Sequence, residues 1–279
     1  MAAGDEDDLN ILGMSYNSAR DELFLADCDN KVVRAMRIRD NAGDLRDVYK
    51  GTEHDMSPLV WSVCHMSDSD TLLVCSREYG PDRKYAEWLV ALTRNGSEWR
   101  ETKRVQTDGR GDIICALSDS QVLIGGSFST NMELFDVESG PRIARVHRIH
   151  VPQAYEWFTA TSGSETLVAM SYPKNLPNGD NSVRLHRLRG DRLEELALIQ
   201  LNYPSYLLWL ADRLLVADYD SEKKSQAVIE FEVSDTRLER RREIIATSEN
   251  INVSRFCAVN DGFAIFDYKS KDFLHYSFA

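Results

Sequence analysis

His147 and His150 are the closest pair among the six histidines. On a strand, residues three apart point to opposite faces, so they do not make a metal-binding pair. The five cysteines are Cys28, Cys64, Cys75, Cys115 and Cys257. Their number is odd and no Cys-x-x-Cys pair or metal-ligand spacing is present. Four of the five sit in apolar strand-like runs and read as buried thiols of a reducing, cytoplasmic compartment. Cys64 and Cys75 flank one hairpin and could face each other, but a bridge across a hairpin is poorly matched to disulfide geometry. No Gly-x-Ser-x-Gly, His-Glu-x-x-His, phosphate loop or dinucleotide fingerprint occurs. Arg110-Gly111-Asp112 spells the integrin tripeptide, and Asn95 and Asn252 open Asn-x-Ser acceptors; without a secretory leader all three read as chance. The chemistry that remains is that of scattered carboxylates, amides and tyrosines, and what they can do depends on which elements bring them together.

The chain has 279 residues, 45 acidic and 33 basic, for a net charge of −12. That balance argues against nucleic acid, whose binding rests on clustered Lys and Arg. The start, MAAGDEDD over Met1–Asp8, has no basic region followed by an apolar run. No run approaches the 18 or so apolar residues of a membrane span. The 43% hydrophobic and 28% charged content is that of an ordinary globular chain.

One pattern recurs six times: an apolar five-residue strand, a polar turn and an alternating strand. The strands are Leu23–Asp27, Leu72–Ser76, Val122–Gly126, Leu167–Ser171, Leu214–Asp218 and Phe263–Asp267, and their starts lie 49, 50, 45, 47 and 49 residues apart. Each has an apolar run just before it: residues 10–15, 59–64, 112–117, 156–161, 206–211 and 254–259. Short polar turns such as Ser118–Ser120 and Asn260–Gly262 join the two, which is hairpin chemistry. Five segments add a fourth, more polar strand. Two of these, Leu193–Leu201 and Leu238–Ala246, contain good helix formers, but each stands where the repeat requires a strand, and propensity is the weaker argument. A four-stranded sheet cannot bury both faces alone, whereas sheets packed radially bury each other.

The chain therefore reads as all-β, a single six-bladed β-propeller over 9–279 behind an acidic tail at 1–8. The expected blades are 9–51, 52–109, 110–150, 151–202, 203–250 and 251–279. The innermost strand of each should be buried on both sides and the outermost half exposed. The last segment has three strands, and Met1–Asp8 is too acidic to supply a fourth. The expectation is thus a three-stranded last blade, or a chain cut from a longer protein that holds the missing strand.

Residues 23–38, LFLADCDNKVVRAMRI, resemble the NHL repeat, whose strand, Asp, Asn-bearing turn and basic-aliphatic strand are matched by Leu23–Asp27, Asn30 and Lys31–Val33. Met132–Gly140 resembles the third strand and turn of a WD repeat, without a Trp-Asp dipeptide. The Asp recurs as Asp218 and Asp267 and is replaced by Ser76, Gly126 and Ser171. Such carboxylates read as acceptors for turn N–H groups rather than as ligands. Propeller lactonases and phosphotriesterases that use calcium imply a second reading, in which Glu53, Asp55, Asp112, Glu156, Asn202 and Asn252 hold a metal at the channel. The Glu-Gly-Pro signature of those enzymes is missing.

In such a fold, the loops from fourth to first strands and from second to third strands share one face. Long examples are residues 76–87 and 171–182. Binding concentrates on long polar loops carried by a rigid scaffold. The candidate binding residues on this face are His54, Asp55, Tyr79, Arg110, Tyr155, Glu156, Trp157, Tyr172, Tyr203, Tyr206, Tyr219, Arg255 and Tyr268, with Tyr85 beside them. Tyrosine offers stiff, amphipathic contact area. The functional expectation is a non-enzymatic scaffold that binds a protein or peptide there, with no cofactor, no nucleic acid and no membrane span. The alternative is a calcium-dependent, lactonase-like hydrolase at the channel mouth.

Overall fold

The computed structural model describes residues 9–38, 45–50, 59–79, 85–138, 142–234, 237–248 and 253–278. Its strands fall into six antiparallel sheets. The first holds β1 (Ile11–Asn17), β2 (Glu22–Asp27), β3 (Val32–Arg37) and β4 (Arg46–Lys50). The second holds β5 (Leu59–Met66), β6 (Thr71–Tyr79), β7 (Tyr85–Asn95) and β8 (Glu98–Thr107). The third holds β9 (Ile113–Ser118), β10 (Gln121–Gly125), β11 (Asn131–Glu138) and β12 (Arg142–His150). The fourth holds β13 (Trp157–Ser162), β14 (Thr166–Tyr172), β15 (Ser182–Arg189) and β16 (Arg192–Gln200). The fifth holds β17 (Pro204–Leu210), β18 (Arg213–Asp220), β19 (Ser225–Ser234) and β20 (Arg237–Ser248). The sixth has three strands among the described residues, β21 (Val253–Val259), β22 (Gly262–Asp267) and β23 (Asp272–Ser277). The protein is a six-bladed β-propeller with four-stranded blades and a three-stranded last one. The helix-prone segments are β16 and β20, edge strands hydrogen-bonded to β15 and β19.

The period-two alternation of each second strand sends neighbouring side chains to opposite blades. Leu23 and Leu25 of β2 join Cys257 and Phe266 of the last blade. Phe24 and Ala26 join Val63, Leu72 and Val74 of the second. The same division holds around the ring, and the described apolar core consists of six clusters, one between each successive pair of blades. No central cluster occurs among the described residues, so each second strand must be apolar on both faces. This locates the near-continuous apolar runs on the second strand, and it corrects the expectation of a fully buried innermost strand. Every residue of β2 and β22 is buried, whereas β1 alternates between buried and half-buried positions because its inward side chains face a central channel. The innermost strands pack closely: a Cβ on Gly13 of β1 would lie 2.6 Å from Ser62 Cα of β5.

Among the described residues, side-chain contacts and no shared sheet join the last blade to the first. Arg255 Nε donates to the Leu12 carbonyl, Lys271 Nζ donates to Leu9 O at 2.9 Å, and Asn260 Nδ2 donates to Tyr16 Oη at 2.8 Å. The outermost strands are polar outward. β20 carries four arginines and two glutamates over Arg237–Glu243 and is bulged twice against β19, a combination that opposes sheet-to-sheet association.

The cysteines are all free thiols. Cys64 pairs with Leu73 and Cys75 with Ser62, so the two do not face each other across the hairpin. Burial pushes Cys64, Cys75 and Cys257 up to about 12 and Cys28 up to about 11. The thiolate is the nucleophile, so the native chain is expected to react with a disulfide reagent at pH 8 only slowly. Under denaturant all five thiols should react at once; a fast equivalent in the native protein would contradict this packing.

His186 on β15 is 5% exposed, and desolvation lowers its pKa to about 4 despite the nearby Glu195. The unfolded chain therefore binds a proton that the folded chain refuses, and stability falls as pH drops from the ordinary histidine value towards 4. The expected loss is about 2–3 kcal/mol, following about 1.4 kcal/mol per pH unit of displacement. Urea unfolding of wild type and His186→Gln at pH 7 and pH 4.5 measures it: the variant's stability should drop less over this interval.

Candidate functional site at the channel mouth

Bulges mark the loop-rich end of the innermost strands. The register slips between Ile11 and Gly13, between Val60 and Ser62, between Pro204 and Leu207, and between Val253 and Arg255. An extra residue re-aims the side chains beside it, and bulges favour barrel rims for this reason. Here they bring Trp61, Tyr206 and Arg255 to the rim, beside Trp157 at the start of β13.

Arg255 crosses the mouth. Its guanidinium lies 5.0 Å from the Trp157 ring centroid and 4.7 Å from that of Tyr206, while its Nε holds the Leu12 carbonyl. One side chain thus touches blades one, four and five from blade six. Trp157 and Tyr206 meet edge to face at 5.1 Å, an arrangement favoured by the aromatic quadrupoles. Glu156 stands at the same rim. Burial raises its pKa against the pull of Arg255, and its Oε2 is buried with no donor among the described residues. Tyr203 is half-buried nearby, its pKa raised by burial and then by Glu156.

A second group occupies the side of blades two and three. Arg77 stacks 4.8 Å from Trp61 and 5.0 Å from Tyr85, and its Nε pairs with Glu87 at 2.5 Å. Arg110 lies 5.7 Å from Trp61 and pairs with Asp112 at 3.2 Å. Asp112 also accepts the Ser127 N–H at 3.1 Å. Burial raises both Glu87 and Asp112, and each keeps one buried oxygen, Glu87 Oε2 and Asp112 Oδ1, without a donor among the described residues.

Below the mouth the channel is a cavity of about 270 Å³. Ser15, Ser62 and Thr159 line it together with the thiols of Cys64, Cys115 and Cys257 and apolar side chains. His65 stands at the far end, its pKa lowered by burial and its Nε2 3.0 Å from Asp70. Between Arg255 and His65 the lining is therefore neutral.

The structure sorts the residues expected at the site. Arg110, Glu156, Trp157, Tyr203, Tyr206 and Arg255 are at or beside the mouth. Tyr219, near the end of β18, and Tyr268, on the β22–β23 turn, are exposed, with Lys271 Nζ 3.8 Å over the Tyr268 ring. Tyr155 and Tyr172 are corrections: at 0% and 2% exposure they belong to the core between blades three and four. Tyr155 packs edge to face on Phe158, and a Cβ on Gly125 would fall 2.2 Å from its hydroxyl; the space exists for that ring. Tyr172 lies beneath Arg184 and donates to Met170 Sδ. His54 and Asp55 lie outside the described residues, as do Glu53, Asn252 and the side chain of Tyr79.

The long segment 76–87 is mostly strand, because β6 runs to Tyr79 and β7 begins at Tyr85. Trp61, Arg77 and Glu87 were missed. A signal existed for Trp61, since bulky residues recur at the same place in the apolar runs as Trp157, Tyr206 and Arg255.

Of the metal-ligand candidates, Asn202 donates its amide to Asp218 at 3.0 Å, and Asp112 and Glu156 each stand beside an arginine. Among the described residues no three His, Cys, Asp or Glu side chains gather as a metal site. Asp27 and Asp267 serve the turns after their strands: Asp27 accepts Asn30 Nδ2 at 2.8 Å and Asp267 accepts Ser270 Oγ at 2.7 Å. Asp218 departs from that expectation and accepts the Tyr203 N–H at 2.7 Å, in the link from β16 to β17.

Sequence comparison matches the chain to no protein-family model and to no curated protein. Solved structures share its fold. The soluble aldose sugar dehydrogenase of Escherichia coli, in its apo form, superposes with a TM-score of 0.60 at 9% identity, over 95% of this chain and 97% of that one. Sqt1 of Saccharomyces cerevisiae gives 0.53 at 8%, over 97% and 86%. A nidogen/laminin complex gives 0.52 at 13%, over 86% and 80%. Likeness at this level of identity establishes the propeller and nothing about its use.

Proposed function

We propose that the chain is a non-enzymatic binding module that takes a peptide segment of a protein partner at the channel mouth, in a reducing, cytoplasmic setting. The observation that carries this reading is the composition of the rim. Trp61, Trp157 and Tyr206 supply flat apolar area held in place by Arg77, Arg110 and Arg255. Aromatic and arginine side chains dominate the centres of protein interfaces. Glu87, Asp112 and Glu156 each offer a buried oxygen that no described residue satisfies. A buried acceptor without a donor costs free energy that a ligand's N–H groups recover. A peptide carrying backbone amides and a basic or polar side chain meets both demands, and the acidic chain as a whole attracts such a segment. The neutral channel favours this reading over hydrolysis, which calls for titratable groups converging on one atom.

The test is affinity capture with the wild-type chain and with a Trp61→Ala/Trp157→Ala variant, each checked for its β-sheet spectrum, with exposed Tyr219→Ala as control. A partner retained by wild type and control and lost by the double variant supports the proposal. A partner that follows all three equally, or hydrolysis of a lactone panel that is abolished by chelator, overturns it.

A further inference from the structure

The opposite face of the propeller carries a feature that the mouth does not use. The turn between β1 and β2, the end of β3, the start of β4 and the β7–β8 turn meet where blades one and two adjoin. They enclose an open pocket of about 620 Å³ lined by Arg20, Glu22, Met36, Arg37, Arg46, Arg94, Gly96 and Ser97. Four of the eight are arginines and one is a carboxylate, in a chain whose net charge is −12.

The carboxylate is structural. Glu22 is 4% exposed and receives Arg94 through Nη1 at 3.0 Å and Nη2 at 3.3 Å, and Arg46 through Nη2. Arg94 is itself buried, its side chain 9% exposed, and it stacks 5.2 Å from Trp99. Its Nε has no acceptor among the described residues. Arg20 pairs with Asp70 at 3.3 Å, and Arg37 forms no ion pair with a described residue. Four guanidinium groups thus share two carboxylates. The crowding is felt by Arg46, whose pKa is lowered by burial and by the neighbouring Arg94. Gathering like charges around a cavity is costly unless an anion enters.

We propose that this pocket is an anion site for a phosphate-class dianion, either inorganic phosphate or a phosphomonoester. Arginine's planar fork matches tetrahedral oxyanions with paired hydrogen bonds, and two excess positive charges match a dianion. Glu22 sets the geometry by fixing Arg94 and Arg46 from below. Arg37 and Arg20 form the exposed rim, and Ser97 adds a hydroxyl donor.

The test is calorimetric titration of the full chain with inorganic phosphate and, separately, with a phosphoserine peptide, using the unphosphorylated peptide as control. Saturable binding is expected, weakened at least tenfold by Arg37→Ala/Arg46→Ala and strengthened severalfold by Glu22→Gln. A phosphoserine peptide at least tenfold tighter than phosphate identifies a phosphorylated side chain as the source; equal affinities identify the free ion. Absence of saturation at millimolar phosphate and peptide, or binding that the double arginine variant leaves unchanged while its melting curve matches wild type, overturns the proposal. Should Glu22→Gln fail to fold, the double arginine variant alone decides.

Discussion

Asp218→Ala is expected to lower the unfolding free energy by about 4 kcal/mol, read as a shifted urea midpoint at unchanged slope. Asp218 is 4% exposed, and its carboxylate accepts the Asn202 N–H at 3.1 and 3.2 Å, the Tyr203 N–H at 2.7 Å and the Asn202 side chain at 3.0 Å. The two N–H bonds fix the backbone of the link from β16 to β17. A hydrogen bond to a charged group contributes about 1.5–3 kcal/mol, and a buried donor left alone costs a similar amount. Asp218→Asn keeps one acceptor oxygen and should lose about half as much. An exposed acidic residue on the β18–β19 turn nearby, Glu222→Ala, should change stability by less than about 0.5 kcal/mol. Equal effects at Asp218 and Glu222 would refute the role assigned to the recurring aspartate. Because the residues held by Asp218 lead into the mouth, partner binding should weaken in Asp218→Ala even at temperatures where the variant is folded.

The second expected result concerns the mouth. Trp157→Ala/Arg255→Ala should weaken binding of the partner's peptide segment about 1000-fold, which is about 4 kcal/mol. Truncating a central aromatic or arginine anchor typically costs 2 kcal/mol or more. Arg255 carries more than charge, since its guanidinium lies over two rings while its Nε holds the first blade. Arg255→Lys preserves the charge and loses the planar group and the fixed N–H, so it should bind nearly as poorly as Arg255→Ala. Wild-type affinity in Arg255→Lys would show that only the charge matters. Full affinity in the double variant would remove the mouth from the interface.

Much of this architecture was legible in the residues. Six apolar strands at spacings of 45–50 residues specify six hairpin-based sheets, because a hairpin's register and a strand's two faces are local properties. The three-stranded last blade followed from the same count. Asp27 and Asp267 were legible as turn acceptors, since an Asx side chain reaches groups only a few residues away; Asp218 instead holds the segment before β17, a partner the turn pattern did not indicate. Arg255 and Trp157 were placed near the mouth for the same reason: the end of an innermost strand is a position within the repeat.

The errors share one cause. Tyr155 and Tyr172 occupy loop-side positions like those of Tyr203 and Tyr219, yet they fill the space between blades three and four. Whether a tyrosine at a strand end points outward or into the neighbouring blade depends on the volume that blade leaves. Gly125, in the preceding blade, creates part of that volume for Tyr155. Trp61, Arg77 and Glu87 come from two strands and a bulge, and their stacking has no local signature. The arginine pocket draws on four separate segments of two blades, with the buried Glu22 as its hinge. Period and turn chemistry are encoded within a few residues, so the sequence alone determined the number of blades, their strands and the face that carries the loops. Side chains from different blades meet through packing, so only the tertiary structure decided which tyrosines are core, which arginines crowd together and which buried carboxylate oxygens find no donor among the described residues.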